Sequence, residues 1–178
     1  VSSAMSGVTN ELIKKSFEIS DGFSESEHDV LVSSGEQVAC SLIAGRLIHE
    51  GYESRSWLSW QIPILTKGKY KNSRINQINK GNIIKYLKKG GIPVVTGFQG
   101  LNDENRITTI GRGGSDASAI MLAKFFKAER CIIYTDVEGV YTTDPNKLKN
   151  AKKIKIISYE EMLEMASLGA KVMQPVSI

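Results

Sequence analysis

The sequence predicts an α/β fold with three layers, in which an open, mainly parallel sheet lies between two layers of helices. Short apolar runs typical of buried strands alternate with segments whose apolar residues recur at helical spacing. Glycine-containing turns follow several of these runs, as expected where a strand leads into a helix. The chain has 178 residues, 41% of them hydrophobic, and no internal repeat or low-complexity linker. We therefore expect one domain over residues 1–178.

The first helix is predicted over residues 10–19, where apolar residues recur at helical spacing. Thr9 or Asn10 is the expected N-cap, because both side chains can accept a hydrogen bond from the first turn. Residues 21–29 are polar and are predicted to form a loop.

A second, longer helix is predicted over residues 36–50, with Gly51 placed to end it. Short extended segments are expected around 55–57 and 62–65, and Pro63 makes the second of these unsuitable as a central strand. The apolar residues on one face of the long helix are Val38, Leu42, Ile43 and Leu47.

The rest of the chain continues the alternation of helix and strand. Helices are predicted over 80–89 and 116–127, and buried strands over 92–96 and 131–134. A last helix is expected to begin at Ser158, because Ser158-Tyr-Glu-Glu161 has the spacing of a capping box, and to run to about Ser167.

The net charge is mildly positive, since Lys and Arg outnumber Asp and Glu by 23 to 19. Such an excess can serve solubility alone, and it can also attract anionic ligands such as nucleotides. The basic residues form no dense block with interleaved aromatics, so we expect no nucleic-acid partner. No apolar stretch has the length of a membrane span and no signal-peptide pattern opens the sequence, so we expect a cytoplasmic protein without a membrane partner.

The cysteines and histidines carry no sign of a metal site. Cys40 and Cys131 each fall in an apolar run outside any CxxC pattern, and we expect both to be buried, reduced thiols. His28 and His49 are far apart in sequence, and surface or helix-end positions are expected for both.

The segment Ile110-Gly-Arg-Gly-Gly-Ser-Asp116, directly before a predicted helix, is the most specific motif. Glycines let the backbone approach a ligand closely, and a helix N-terminus presents free N–H groups to anionic oxygens. Arg112 can grip a carboxylate with two hydrogen bonds. Ser115 and Asp116 can also act simply as helix caps. The arginine between the glycines favours ligand binding over a structural turn, and the segment matches neither a P-loop nor the GxGxxG fingerprint.

A second polar segment runs from Tyr134 to Pro145. Thr135 and Asp136 are expected to end a buried strand, where polar groups face the ligand crevice of an α/β sheet. Tyr141 offers an aromatic surface for a nucleotide base, and Asp144-Pro145 shapes a turn. A turn-rich connection with Asp136 as a capping residue explains the same pattern equally well.

Three further residues are candidates on weaker grounds. Glu36, in Ser33-Ser-Gly-Glu36, lies at the predicted start of a helix, where its favourable interaction with the helix dipole is enough to explain a carboxylate. It can equally accept a hydrogen bond from the amine of an amino acid. Ser3 lies in a small-residue turn before the first helix, another candidate anion site. Lys171 is one basic residue among 23, and its spacing from other residues indicates no particular role.

Taken together, these segments resemble the aspartokinases of the amino acid kinase superfamily. The resemblance covers nearly the whole chain, and its motifs occur in the family's order. Ser34-Gly-Glu36 combined with Gly111-Arg-Gly-Gly-Ser-Asp116 is particular to aspartokinases, whereas the segment from Asp136 to Tyr141 is shared with sister kinases. The other matching segments are Ser3–Asn10, Val95–Gly100, Thr135–Pro145 and Gly169–Val172.

The resemblance implies ATP-dependent phosphorylation of the side-chain carboxylate of L-aspartate to 4-phospho-L-aspartate, the first step toward lysine, threonine and methionine. Arg112 would bind an aspartate carboxylate and Glu36 its α-amino group, while Asp116 would organise the site and Lys171 would reach the phosphates. Other implied substrate-binding residues are Thr9, Phe98, Gly113, Gly114 and Ser115. Implied nucleotide-binding residues are Ser3, Thr135, Asp136, Tyr141, Asp144, Pro145 and Lys171.

The resemblance also implies ATP and Mg²⁺ as cofactors, with the metal held mainly through ATP, and a homo-oligomer in the full-length enzyme. The family's N-terminal Lys-Phe-Gly-Gly-Thr-Ser strand and its C-terminal ACT domains are not among these residues, and Asn146 stands where an arginine is usual. We therefore expect a domain cut at both ends, with weak activity or none by itself. Kinases acting on acetylglutamate or uridylate, or an inactive nucleotide-binding fragment, are the alternatives.

Overall fold

A computed structural model describes residues 1–135, 139–144, 147–168, 173 and 178. The chain divides into two compact units, Val1–Cys131 and Ile132–Ile178. The first unit begins with two helices and continues with six strands, with one helix after the third strand and another after the sixth. Those elements are α1 Val8–Ile19, α2 Glu25–His49, β1 Ser54–Trp57, β2 Ile64–Lys69, β3 Asn72–Ile78, α3 Gly81–Lys88, β4 Ile92–Val95, β5 Gln99–Leu101, β6 Ile107–Thr109 and α4 Gly114–Phe126.

The strands of the first unit form two sheets. In the first sheet β1 and β4 pair in parallel, and an isolated parallel bridge joins Ser2 to Thr96. The second sheet has the order β3-β2-β5-β6, in which one parallel pair, β2 with β5, lies between two antiparallel pairs. The α/β class is confirmed, and the two antiparallel pairs, β2–β3 and β5–β6, were not predicted.

Helices cover both faces of the parallel pair β1–β4. Val94 packs with Cys40 and Ala44 of α2, whereas the next residue, Val95, belongs to a cluster that includes Ile83 of α3 and Leu122 of α4. Consecutive residues of a strand point to opposite faces, so this division places α2 on one side and α3 and α4 on the other. The layered arrangement expected from the sequence is therefore present.

Helix α2 differs most from its prediction, since it begins at Glu25 and not near residue 36. The polar segment before Glu36 is helical because Glu25 and Glu27 lie in the first turn, where acidic side chains interact favourably with the helix dipole. Gly51, with φ of +88°, follows the helix end as predicted. Val38, Leu42 and Ile43 of the predicted apolar face are exposed, because α2 packs through smaller residues. Those buried residues include Val32, Gly35, Ala39, Cys40 and Ala44.

Two other local predictions in the first unit are wrong. Helix α1 starts at Val8 with Gly7 as its N-cap at φ 84°, so neither Thr9 nor Asn10 caps it. Strand β2 is interior to its sheet even though Pro63 precedes it. Pro63 does not interrupt the ladder, because the strand begins one residue later, at Ile64.

The predicted strand 131–134 is absent from the second unit as far as the structure describes it. Residues 131–135 have no strand assignment, and Ile132 and Tyr134 are exposed. An apolar run forms a strand only where it finds a hydrogen-bonding partner, and sequence alone does not supply one. Cys131 is exposed as well, against expectation, whereas Cys40 is buried and donates to the carbonyl of Val94.

The last helix agrees with its prediction. Helix α5 spans Tyr159–Ser167, and Ser158 is its N-cap. The Glu161 N–H donates to Oγ of Ser158, and the Ser158 N–H donates to the Glu161 carboxylate, so the capping box is complete. Among the described residues, no helix has both the length and the apolar character needed to cross a membrane. Whether the chain folds as one domain stays a prediction.

Candidate functional site

A cleft of about 480 Å³ lies within the first unit and brings together nine of the predicted site residues. Its walls come from the N-terminal segment, α1, α2, the turn after β4 and the loop that leads into α4. The predicted residues that line it are Ser3, Thr9, Glu36, Phe98, Arg112, Gly113, Gly114, Ser115 and Asp116.

Glu36 is the most unusual group in this cleft. Its side chain is buried, with only 2% of the residue exposed, and burial raises the pKa of its carboxyl from 4.5 to about 7. The Ala4 N–H donates to Oε1 at 3.1 Å. Its other oxygen, Oε2, is buried without a hydrogen-bond partner in the part of the chain that the structure describes. A buried acceptor of this kind is costly unless a ligand supplies a donor.

The glycine-rich loop has the geometry that its sequence predicts. Gly111 and Gly113 have φ of +82° and +70°, which favour glycine, and α4 begins at Gly114 directly after them. The Gly114 N–H donates to the Gly111 carbonyl at 3.0 Å, so Ser115 and Asp116, which both line the cleft, are the first-turn residues whose N–H groups suit an anion. Arg112 is exposed between the glycines, where its guanidinium can reach a bound anion.

Asp116 adds a second carboxyl group to the lining, in the first turn of α4. Burial raises its pKa above the ordinary value. Arg112 provides positive charge, and a cationic group that approaches Glu36 or Asp116 favours the ionised carboxylate, so the cleft suits a ligand that carries charges of both signs.

Phe98 is held in a left-handed backbone conformation, with φ of 66°. Its N–H donates to Oγ of Ser118 at 3.0 Å, and its carbonyl accepts from the Ile110 N–H at 3.0 Å. Such strain in a residue other than glycine persists only where the surroundings fix it. The contacts to α4 and to the end of β6 therefore hold the Phe98 ring at the cleft.

Replacing Gly114 by alanine is expected to displace the Phe98 ring and weaken ligand binding. A Cβ atom at this position would lie 2.6 Å from Cδ2 of Phe98 and 3.1 Å from Cβ of Ile110. We expect a loss of stability of about 1–3 kcal/mol, as for other overpacked sites, together with weaker acceptor binding. Thermal unfolding and acceptor titration would check this, with Gly45→Ala, where the added Cβ meets open space, as the control. Unchanged acceptor binding would show that the Phe98 ring position is unimportant.

Several residues that line the cleft carry no sequence motif and were not predicted. Asn10 and Ile13 follow Thr9 along α1, and Thr109 ends β6. Lys71 lies in the turn between β2 and β3, a hairpin that was not predicted. His28 was expected at the surface, but its side chain is only 15% exposed, because the early start of α2 carries it into the cleft. His49 is the last residue of α2, at a helix end as expected.

Of the predicted nucleotide-binding residues that the structure describes, Ser3 lines this cleft, and Thr135, Tyr141 and Asp144 do not. Thr135, Tyr141 and Asp144 belong to the second unit, where Tyr141 forms an isolated antiparallel bridge with Lys153. Asp136, Pro145 and Lys171 lie outside the described residues. The nucleotide-binding role of these residues therefore stays a prediction.

Comparison with known proteins agrees with the resemblance seen in the motifs. The model of the amino acid kinase family matches residues 1–178. The chain belongs to the amino acid kinase family. An aspartokinase of Rickettsia conorii is 49% identical over 178 residues, which is 98% of this chain and 44% of that protein. The chain thus spans less than half the length of this relative.

Solved structures show the same fold. The structure of aspartokinase III of E. coli in complex with aspartate and ADP superposes with a TM-score of 0.82 and 30% identity, covering 96% of this chain and 41% of that one. The aspartate kinase of Synechocystis gives a TM-score of 0.82 at 40% identity, covering 98% and 29%. The amino acid kinase fold predicted from the sequence is therefore confirmed.

Proposed function

We propose that the protein phosphorylates the side-chain carboxylate of L-aspartate with ATP to give 4-phospho-L-aspartate. The observation that supports this most directly is that Glu36 lines the cleft and that its buried Oε2 has no hydrogen-bond partner among the described residues. An ammonium group would satisfy it, while Arg112 can bind a carboxylate. Free amino acids carry both groups. The related E. coli aspartokinase III, whose structure contains aspartate and ADP, supports the same substrate.

The residues of the cleft would act mainly by positioning and by neutralising charge, as is usual in phosphoryl transfer. Glu36 would hold the ammonium group and Arg112 a carboxylate, which fixes the acceptor relative to the start of α4. Backbone N–H groups at Ser115 and Asp116, in the first turn of α4, would stabilise negative charge on the transferred phosphoryl group. Thr9 and Phe98 would complete the acceptor site, and Ser3 the phosphate side.

ATP and Mg²⁺ are proposed as cofactors. Asp116 is a carboxylate in the lining, and one protein carboxylate together with phosphate oxygens fits the usual coordination of Mg²⁺. Bound Mg²⁺ would neutralise the phosphates. The segment from Thr135 to Pro145, with Lys171, is proposed as the nucleotide side. A cytoplasmic location and a homo-oligomeric full-length enzyme are proposed on the family resemblance.

The reaction can be tested with the full-length protein, ATP and Mg²⁺. L-Aspartate, N-acetylglutamate and uridylate would be offered separately, with hydroxylamine to trap acyl phosphates and ADP release measured in parallel. We expect hydroxamate with L-aspartate alone. Hydroxamate with N-acetylglutamate and none with aspartate would reject the proposal, as would ADP release with uridylate alone.

An inactive nucleotide-binding protein is the remaining alternative. Such a protein would bind ADP, but it would not convert ATP to ADP with any of the three acceptors. The weak activity expected of these 178 residues by themselves is a separate prediction, and the same assay on the isolated chain would check it.

A further inference from the structure

Lys71 supplies a second positive charge to the cleft, in addition to that of Arg112. Among the described residues that line the cleft, one arginine, Arg112, and one lysine, Lys71, are present. L-Aspartate carries two carboxylates and one ammonium group. With Glu36 paired to the ammonium and Arg112 to one carboxylate, the second carboxylate still requires a cation or several hydrogen-bond donors.

The backbone of Lys71 is fixed whatever its side chain does. Lys71 lies in the turn between β2 and β3 with φ of 64°, a conformation that favours glycine. Its N–H donates to both carboxylate oxygens of Asp29, at 2.9 and 3.2 Å, and Asp29 is fully buried. The residue is therefore held at the cleft through its main chain by α2.

The ammonium group of Lys71 is only loosely engaged. Nζ lies 3.8 Å from Oε1 of Glu25, and the two side chains are 42% and 62% exposed. An exposed ion pair of this length stabilises little, so a bound anion can compete for the ammonium. His28 also lines the cleft, but its Nδ1 lies 3.6 Å from Oδ1 of Asp29. On this side of the cleft, the ammonium group of Lys71 is therefore the donor that suits a bound anion.

We propose that Lys71 is a specificity-determining residue that binds the second carboxylate of the acceptor. The inference rests on the proposed function. It accounts for selection of an acidic amino acid over its amide, because asparagine has the same shape as aspartate but offers no second negative charge.

Calorimetric titration of the full-length protein with L-aspartate and L-asparagine, without nucleotide, tests the proposal. Lys71→Gln is expected to weaken aspartate binding about fivefold to tenfold and to leave asparagine binding nearly unchanged. Lys71→Arg should retain most of the preference. The matched control is Lys69→Gln, since Lys69 is exposed in the same hairpin and does not line the cleft.

Lys71→Gly separates the charge from the backbone. Glycine adopts a positive φ without strain, so the variant should unfold at the same temperature or higher, and it should bind aspartate as weakly as Lys71→Gln does. Unchanged aspartate affinity in both variants would overturn the proposed role of Lys71 and leave the proposed function standing. So would weaker binding of ADP with aspartate binding intact, since Lys71 would then serve the nucleotide. A wild-type protein that neither binds nor phosphorylates aspartate would reject the proposed function itself.

Discussion

Replacing Glu36 by glutamine is expected to lower kcat/KM for L-aspartate by a factor of about 100 and to leave ATP affinity unchanged. The substitution preserves shape and the acceptor for the Ala4 N–H, but it removes the negative charge that faces the ammonium group. Truncating one partner of a desolvated charge pair costs about 2–5 kcal/mol, which corresponds to factors of this size. Steady-state kinetics with the full-length protein, using hydroxamate formation, would measure the change.

Glu50→Gln is the matched control, because Glu50 is exposed at the C-terminal end of the same helix. It should leave the kinetics with aspartate unchanged. An equal loss in both variants would indicate a general effect of charge on α2, and an unchanged kcat/KM in Glu36→Gln would refute the assignment of Glu36 to the ammonium group.

The same variant should also be more stable than the wild type, but only at higher pH. The pKa of Glu36 in the folded protein, about 7, lies above its value of 4.5 in the unfolded chain. Between these values the native state binds a proton that the unfolded state has lost, so wild-type stability falls as the pH rises through this window. Glu36→Gln should match the wild type near pH 4, below both pKa values, and exceed it by about 3 kcal/mol at pH 8. Urea unfolding without aspartate at both pH values would show this difference.

The parts of the fold that the sequence predicted well are those with strong local signals. The capping box at Ser158 identifies the start of α5, and Gly51 marks the end of α2. The start of α2 was missed because its first turns are rich in polar residues, which resemble a loop unless their position in the fold is known. The hairpin β2–β3 was missed because its two turn residues, Tyr70 and Lys71, are not the Gly, Asn or Asp residues typical of a tight hairpin turn.

The candidate site shows the same division. Glu36 and Arg112 lie in motifs that are recognisable without a structure, and the structure places both in one cleft. Lys71 and His28 carry no motif, and they reach the cleft only through the hairpin turn and the early start of α2. Such residues cannot be found from local sequence, because their role depends on which elements pack together.

Replacing Asp29 by alanine is expected to destabilise the protein by about 3–5 kcal/mol. Asp29 is fully buried in α2, and it accepts hydrogen bonds from the Lys71 N–H and from both the N–H (2.7 Å) and the hydroxyl (2.9 Å) of Thr109. Alanine would leave these donors without an acceptor, and each buried unsatisfied group costs about 1–3 kcal/mol. A loss of this size is a large part of the stability of a typical domain. Urea unfolding would measure it.

Asp29→Asn tests the reason for that loss. Asparagine keeps one acceptor oxygen but places an NH₂ group where the other oxygen accepts, so we expect a smaller loss, about half that of alanine. Asp21→Ala, at an exposed position before α2, should change stability by less than about 0.5 kcal/mol. Equal, small losses in all three variants would contradict the role of Asp29. Since Asp29 and Glu36 are seven residues apart and so lie on one face of α2, the same helix holds the Lys71 turn and the end of β6 through one carboxylate and presents the other to the ligand.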